Sequence, residues 1–149
     1  MRISEFLSQS NAIVDVAAHD KSRLLTELCH RAASALKLNA DRISADILKR
    51  EELGSTGVGG GVAIPHARVP DLKVPFGILA RLQEAIDFNA IDGQPVDIAF
   101  LLLLPTASAG EQLNALAAVA RRLREPNAIR KLWLASDSAS LYRAMIAES

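Results

Sequence analysis

The segment 50–66 gathers most of the groups in the chain that could bind an anion. Five of the eight glycines of the chain lie within residues 54–61. Glycine adopts φ > 0 without strain and lets backbone N–H groups approach a bound group closely. The hydroxyls of Ser55 and Thr56 lie among these glycines, an arginine precedes them and a histidine follows them. The simplest chemistry that uses all of these groups is an anion held beside a histidine.

These glycines do not match the common nucleotide-binding motifs. A Walker A motif would continue with Gly-Lys-Ser or Gly-Lys-Thr, and no such triplet follows. The dinucleotide-binding fingerprint opens a helix, whereas this segment leads into a short apolar run, 61–64, that is typical of a strand. No His-x-x-x-His pair and no acidic cluster accompanies the histidine, as a zinc site would require. We therefore expect no nucleotide, no metal and no other cofactor.

A histidine that itself accepts a phosphoryl group fits these residues. Neutral imidazole is a nucleophile near pH 7, and phosphoryl transfer asks a protein mainly for positioning and charge stabilisation. Arg50 would supply a fixed positive charge and keep His66 unprotonated. The hydroxyls of Ser55 and Thr56 and backbone N–H groups such as that of Gly57 would donate further hydrogen bonds. In a plainer interpretation, Arg50 pairs with a nearby carboxylate and His66 only follows a proline turn.

The composition is typical of a soluble cytosolic domain. At 149 residues, half of them apolar, the chain is long enough for one domain, 1–149, with a substantial core. Basic and acidic residues number 17 each, which argues against a nucleic-acid-binding or polybasic membrane-surface protein. The run 98–104 is far shorter than the ~20 apolar residues that span a bilayer, so we expect no membrane insertion. No signal-peptide pattern opens the chain, and Cys29 is its single cysteine.

Apolar periodicity predicts a mixture of strands and helices. Strands are expected at 11–18, 61–64, 74–82 and 96–104, helices at 20–37, 41–53, 108–124, 127–134 and 138–147, and a turn-rich connection at 83–95. The strand at 96–104 is too continuously apolar to face water, so helices must cover both faces of its sheet. The sequence therefore predicts an α/β fold, with one small sheet sandwiched between helices.

Helix ends and inward faces are also predicted. Asp20 should cap the first helix, Gly54 should end the second as a left-handed cap, and Ser108 with Glu111 should form a capping box. In the first two helices the inward residues should be Leu24, Leu25, Leu28, Cys29, Ala32, Ala33, Leu36, Ile43 and Ile47. In the later helices they should be Leu113, Leu116, Ala117, Ala120, Leu123, Trp133, Leu134, Leu141 and Met145.

The segment 50–66 closely resembles the active-site signature of phosphotransferase-system enzyme IIA domains of the fructose/mannitol type. The matching stretches are Arg50-Glu51, Gly54-Ser55-Thr56-Gly57 and Ala63-Ile64-Pro65-His66. A second segment, 86–97, with the sequence Ile-Asp-Phe-Asn-Ala-Ile-Asp-Gly-Gln-Pro-Val-Asp, resembles the nitrogen-regulatory branch of that family. The resemblance covers nearly the whole chain and implies the fold of the family, a mixed sheet of about five strands flanked by helices.

The resemblance also implies a function and roles for the site residues. His66 would be the phosphorylated residue and would take its phosphoryl group from the phosphohistidine of a small phosphocarrier protein, without metal or nucleotide. Arg50 would bind the phosphate, and Ser55 and Thr56 would lie near it. The chain would act mainly as a regulator, with its phosphorylation state deciding which downstream proteins it binds.

One position departs from the family pattern. The family usually has a second active-site histidine just before a leucine, at the start of the helix that follows the apolar strand. Here that position is Gln112, in Glu111-Gln112-Leu113. A glutamine amide can donate a hydrogen bond to phosphate but carries neither charge nor a transferable proton. We expect phosphorylation of His66 to survive this change, with an altered rate or lifetime of the product.

Two other functions stay open from the sequence. The chain could be a sugar-specific enzyme IIA that passes the phosphoryl group to a cysteine of a IIB component, although we expect a free-standing domain without a fused permease or IIB segment, which favours the regulatory branch. It could also be a non-catalytic module whose loop binds an anionic metabolite. Covalent phosphorylation of His66 would distinguish a regulatory or sugar-specific enzyme IIA from a non-catalytic anion-binding module.

Overall fold

A computed structural model describes residues 1–106 and 109–147, and the side chains at 109, 111 and 112 lie outside that description. The strands are β1 Ala12–Val16, β2 Gly57–Gly59, β3 Val62–Ala63, β4 His66–Arg68, β5 Phe76–Ile86 and β6 Val96–Leu104. The helices are α1 Lys21–Leu36, α2 Ala40–Glu52, α3 Ala109–Arg122, α4 Pro126–Leu134 and α5 Ser138–Ile146, with 3₁₀ turns at Ile3–Glu5 and Gln9–Asn11.

The strands form one mixed sheet in the order β1-β5-β6-β3-β2, and β4 also pairs with β6. Strands β1 and β5 are parallel, β5 and β6 antiparallel, and β3 and β4 both run parallel to β6. The prediction of a mixed sheet between helices is confirmed. The described residues form six strands instead of about five, because residues 57–68 fold into three very short strands.

Strand β6 is buried on both sides, as its continuous apolar sequence predicts. Ala99, Leu101 and Leu103 point into a core shared with α1 and α2. Ile98, Phe100, Leu102 and Leu104 point into a second core shared with α3, α4 and α5. Side chains of a strand alternate between faces, so these two sets anchor β6 to both helical layers.

Strand β5 is longer than predicted. It runs from Phe76 to Ile86 and so takes in the first residues of the stretch that the sequence assigned to a turn-rich connection. Its pairing with β6 shifts register between Arg81 and Ile86. A bulge of this kind lets a strand continue past a break in its apolar alternation.

The predicted helix ends are partly right. Asp20 caps α1 by accepting a hydrogen bond from the Arg23 N–H at 2.8 Å. The cap predicted at Gly54 is partly right, since Gly54 follows the end of α2 with a positive φ of 154°, but this φ is far from the αL value of about 57°. The helix ends through bonds from the N–H groups of Leu53 and Gly54 to the carbonyls of Arg50 and Glu51, one turn back. These i→i−3 bonds tighten the last turn and satisfy the terminal carbonyls without an αL residue. The capping box predicted at Ser108 lies outside the described residues.

The predicted inward faces of the later helices are also partly wrong. In α3 the buried residues are Ala115 and Val119, followed by Leu123, whereas Leu113 is 66% exposed. In α4, Ile129 and Leu132 are buried, and the predicted docking residues Trp133 and Leu134 are exposed. These helices carry apolar residues on more than one face, so spacing alone leaves the inward direction undecided. No helix of the described residues is long and apolar enough to cross a membrane.

We predict that Gly77→Ala destabilises the fold by about 1–3 kcal/mol, the usual cost of overpacking a core. A Cβ at Gly77 would lie 2.6 Å from ring atoms of Phe100, whose edge-to-face contact with Phe6 restricts its movement. Urea unfolding of the two proteins measures the difference. Gly110→Ala is the matched control, because nothing lies within 4 Å of its added Cβ. Equal stability of Gly77→Ala and the wild type would refute the predicted clash.

Candidate functional site

A cleft of ≈ 410 Å³ lies beside His66, between the end of α2, strand β4 and the start of α3. Its charged lining consists of three cations and one carboxylate, contributed by Lys49, Arg50, Arg68 and Asp46. The apolar lining comes mainly from Leu53, Leu104, Leu113 and Leu116. Within the described residues, no ion pair joins these cations to a carboxylate. The cleft therefore keeps an excess of positive charge beside a histidine.

His66 is the first residue of β4 and is half-buried. Its Nδ1 lies 2.8 Å from the carbonyl oxygen of Ile64. A carbonyl only accepts hydrogen bonds, so in the neutral ring this contact assigns the proton to Nδ1. The lone pair of Nε2 is then the group left to act as a nucleophile.

The surroundings of His66 favour its neutral form. Burial of the ring is the largest effect and lowers the pKa of His66 from its ordinary value of 6.5. The hydrogen bond to the Ile64 carbonyl raises this pKa, the charge of Arg50 lowers it and the charge of Glu51 raises it. The sequence analysis attributes the neutral state of His66 to the charge of Arg50, whereas in the structure burial of the ring lowers the pKa more than Arg50 does. At neutral pH the ring is unprotonated at Nε2 and can attack.

Arg50 lies in the last turn of α2, one turn before the glycine-rich segment. Its Nη1 donates a hydrogen bond of 2.9 Å to the carbonyl oxygen of Gly54. Guanidinium has five N–H donors in a planar fork, and this bond uses one of them. The neighbouring carboxylate of Glu51 pairs instead with Lys21, at 2.8 Å. Arg50 thus keeps donors available beside the cleft.

The glycine-rich segment has a structural use in the hairpin that joins β2 to β3. Gly60 and Gly61 have φ of 67° and 81°, the left-handed pair that a type I′ hairpin turn requires. The Gly60 N–H is donated to the Asp92 carboxylate at 3.0 Å. Among the described residues that line the cleft, none comes from 54–61.

The donors predicted to bind phosphate are engaged elsewhere in the structure. Ser55 donates its hydroxyl proton to the Phe88 carbonyl at 2.8 Å, and the same oxygen accepts the Gly57 N–H at 3.0 Å. Thr56 is 3% exposed and donates its hydroxyl proton to the Glu51 carboxylate. The phosphate-binding roles of Ser55, Thr56 and Gly57 stay predictions, and they require these bonds to be exchanged for bonds to phosphate.

Gln112 is the fourth residue of α3, and its side chain lies outside the described residues. The next residue, Leu113, lines the cleft, so the first turn of α3 borders the site. The role predicted for Gln112 stays a prediction.

Sequence analysis missed Lys49 and Arg68 and considered Asp46 only among the carboxylates that could pair with Arg50; all three line the cleft. Arg68 lies two residues after His66 in β4, and alternate residues of a strand share a face. Asp46 lies four residues before Arg50 on α2, and residues four apart share a helix face. Both spacings are visible in the sequence. Among the described residues, no group of three or more His, Cys, Asp or Glu side chains could hold a metal ion.

We predict that His66 titrates below 6.5 and that Arg50→Met moves the midpoint upward, because a repelling positive charge is removed. NMR of the ¹⁵N-labelled imidazole against pH measures both. Arg31→Met is the control. Arg31 lies on α1, where it pairs with Glu27, so its removal should leave the midpoint of His66 unchanged. Because the pKa is lowered on folding, His66 contributes stability above about pH 6.5 that is lost as the pH falls below that value. A midpoint at or above 6.5 would contradict the prediction.

Comparison with known proteins shows to which family this chain belongs. The family model described as "Phosphoenolpyruvate-dependent sugar phosphotransferase system, EIIA 2" matches residues 5–148. A nitrogen regulatory protein of Bradyrhizobium diazoefficiens is 39% identical over 145 residues, which cover 97% of this chain and 95% of that protein.

Solved structures agree with this assignment. The crystal structure of nitrogen regulatory protein IIA-Ntr from Neisseria meningitidis has a TM-score of 0.91 at 33% identity and covers 97% of this chain and 99% of its own. The mannitol IIA of Escherichia coli has a TM-score of 0.78 at 14% identity, covering 94% of this chain and 99% of its own, and shows the same fold. The chain belongs to the type-2 enzyme IIA family of the phosphotransferase system, among the nitrogen regulatory IIA proteins.

Proposed function

We propose that this protein accepts a phosphoryl group on Nε2 of His66 from a histidine-phosphorylated carrier protein and regulates partner proteins according to its phosphorylation state. The observation that carries the proposal is the bond from His66 Nδ1 to the Ile64 carbonyl, which leaves Nε2 unprotonated in a cationic cleft. Membership of the enzyme IIA family supports it.

The transfer can be written so that its atoms and electrons balance. The lone pair of His66 Nε2 forms the new P–N bond while the P–N bond of the carrier breaks, and the imidazole of the carrier keeps that electron pair. The carrier ring leaves as a neutral imidazole when its other nitrogen is protonated. His66 keeps its Nδ1 proton and becomes a phosphoimidazolium, whose N–H the Ile64 carbonyl continues to accept. No side chain of this protein has to move a proton.

The cleft charge suits this product. A phosphoryl group brings about two negative charges, and Lys49, Arg50 and Arg68 face the same cleft without ion pairs to described carboxylates. Arg50 has the best geometry for phosphate, because its planar fork can bind two oxygens. In this proposal Arg50 stabilises the transferring group, and the two other cations attract the anionic donor.

The rim of the cleft favours a protein as the donor. Leu53 is 84% exposed and Leu113 is 66% exposed, and both line the cleft. Exposed apolar residues around a polar centre are typical of a surface that docks another protein. A phosphohistidine carried on a small protein would cover these leucines and exclude water from the transfer.

Regulation follows from the change of charge. Before phosphorylation the cleft is cationic, and afterwards the same surface carries a dianion between two exposed leucines. A partner that binds one form through complementary charge would be repelled by the other. Downstream target proteins would therefore distinguish the two states at this face.

The alternative within the same family is a sugar-specific enzyme IIA that passes the phosphoryl group to a IIB cysteine. The fold shared with a mannitol IIA is compatible with it. Transfer from phosphorylated His66 to an added IIB component at a rate comparable to loading would favour this alternative. A non-catalytic anion sensor would instead bind inorganic phosphate without forming a covalent product.

We predict that the wild-type protein incubated with phosphorylated carrier takes up acid-labile, base-stable phosphate, and that His66→Ala takes up none. The chain has three histidines, which provides matched controls. His19→Gln and His30→Gln should be labelled like the wild type, because neither residue lines the cleft. Label on His66→Ala would refute the assignment.

We also predict that Gln112→His raises the rate of phosphoryl uptake, and that it changes this rate more than it changes the free energy of unfolding. An imidazole at this position can carry positive charge to the phosphate, which the amide cannot. Rapid-quench labelling and urea unfolding measure the two quantities. An unchanged rate would mean that position 112 does not contact the transferring group.

A further inference from the structure

We propose that Glu51 is a positioning residue for His66, acting through Thr56 and Ile64 to hold the imidazole with its proton on Nδ1. The inference rests on the acceptor role proposed above for His66. It assigns a role to a buried carboxylate that does not line the cleft.

Glu51 is a buried charge with a complete set of partners. It is 9% exposed and lies in the last turn of α2. Lys21 approaches its Oε2 at 2.8 Å, and the same ammonium lies 4.5 Å from the centre of the Phe88 ring. Burying a carboxylate is costly unless it is paired and hydrogen-bonded. A buried ion pair is weak evidence for added stability but can specify one conformation.

Both oxygens of the Glu51 carboxylate accept hydrogen bonds from Thr56. The Thr56 N–H donates to Oε2 at 3.2 Å, and the Thr56 hydroxyl donates to Oε1. Two bonds from one residue to one carboxylate fix the orientation of that residue as well as its position. These bonds hold the Thr56 side chain and the N–H before it, and so restrict the position of the Thr56 carbonyl that follows.

That carbonyl connects directly to the residue that orients His66. Thr56 O accepts the Ile64 N–H at 3.0 Å, and Ile64 O accepts from His66 Nδ1 at 2.8 Å. Ile64 lies between β3 and β4, outside both strands. The bond from Thr56 continues the pairing of β2 with β3 by one residue and fixes the peptide that precedes Ile64. The carbonyl that accepts from His66 belongs to the adjoining Ile64–Pro65 peptide, so fixing the first peptide restricts the second.

The tautomer of a neutral histidine is set by the partner of its other ring nitrogen. If the Ile64 carbonyl turns away, the proton can move to Nε2, and the nucleophilic lone pair is then lost from the cleft. A displacement of about 1 Å at a reacting group can cost on the order of 10²-fold in rate. Glu51 would thus affect the transfer without touching the phosphate.

The test uses Glu51→Ala and Glu51→Gln in the full chain. The first removes all contacts to Thr56, and the second keeps one acceptor oxygen but loses the charge. Arg81→Met is the control, because Arg81 is a largely buried cation whose acceptors do not line the cleft. It donates to the carbonyls of Leu132, Trp133 and Ala135. This substitution should lower stability and leave His66 unchanged.

Two quantities separate positioning from general destabilisation. The first is the tautomer of unphosphorylated His66, read from its ¹⁵N shifts above its pKa. We expect Nδ1–H in the wild type and in Arg81→Met, and a mixture in both Glu51 variants. The second is the rate of phosphoryl uptake at saturating carrier, which should fall about 10–100-fold in Glu51→Ala and less in Glu51→Gln. The carrier concentration at half-maximal rate should change little.

Unchanged tautomer and rate in a folded Glu51 variant would overturn the proposal. If Glu51→Ala does not fold, Glu51→Gln alone decides, since it keeps the size of the side chain. A loss of rate in Arg81→Met equal to that in Glu51→Gln would also overturn it, because instability would then explain both. The tautomer is measured without any phosphoryl donor, so a wild-type protein that fails to be phosphorylated would refute the proposed function and leave this result standing.

Discussion

The position of His66 depends on an interruption in the pairing along one edge of β6. Strands β3 and β4 both pair with that edge in parallel register, which places His66 opposite Leu102. Pro65 lies between them and has no N–H to donate, although its carbonyl accepts from Leu102 at 2.9 Å. Because Leu102 donates to the carbonyl of Pro65 and not to that of Ile64, the Ile64 carbonyl is available to the imidazole two residues later. Because both faces of β6 are buried, this short irregular stretch is anchored to a strand that lies in both cores.

The bond between Ile64 and His66 favours a positively charged ring both before and after the proposed transfer. In the unmodified protein it raises the pKa of His66, against the larger effect of burial and together with that of Glu51, whereas Arg50 lowers the pKa. The net direction keeps the ring neutral at pH 7. After transfer as proposed, the ring would be a cation, and the same carbonyl would then stabilise it. One backbone acceptor would thus orient the nucleophile and offset the charge of the product.

Patterns that depend on neighbours in the chain were predictable, and partners distant in sequence were not. The strand Val96–Leu104 and the capping of α1 by Asp20 follow from local composition. The use of the Ser55 hydroxyl does not, because its acceptor is a carbonyl 33 residues away. The same holds for Gly60, whose N–H partner is the Asp92 side chain. A run of glycines looks alike whether it binds an anion or forms a hairpin, and only the fold distinguishes the two.

The errors in the predicted helix faces are informative, because one of them falls at the cleft. Leu113 follows the spacing of an inward stripe, yet α3 turns Ala115 and Val119 to the core and leaves Leu113 at the rim. Leu53, just past the end of α2, is also exposed at the same rim. Exposed apolar patches rimmed by polar residues are typical of surfaces that bind another molecule. Departures from a regular pattern are expected at functional sites, and these two leucines line the same cleft as His66.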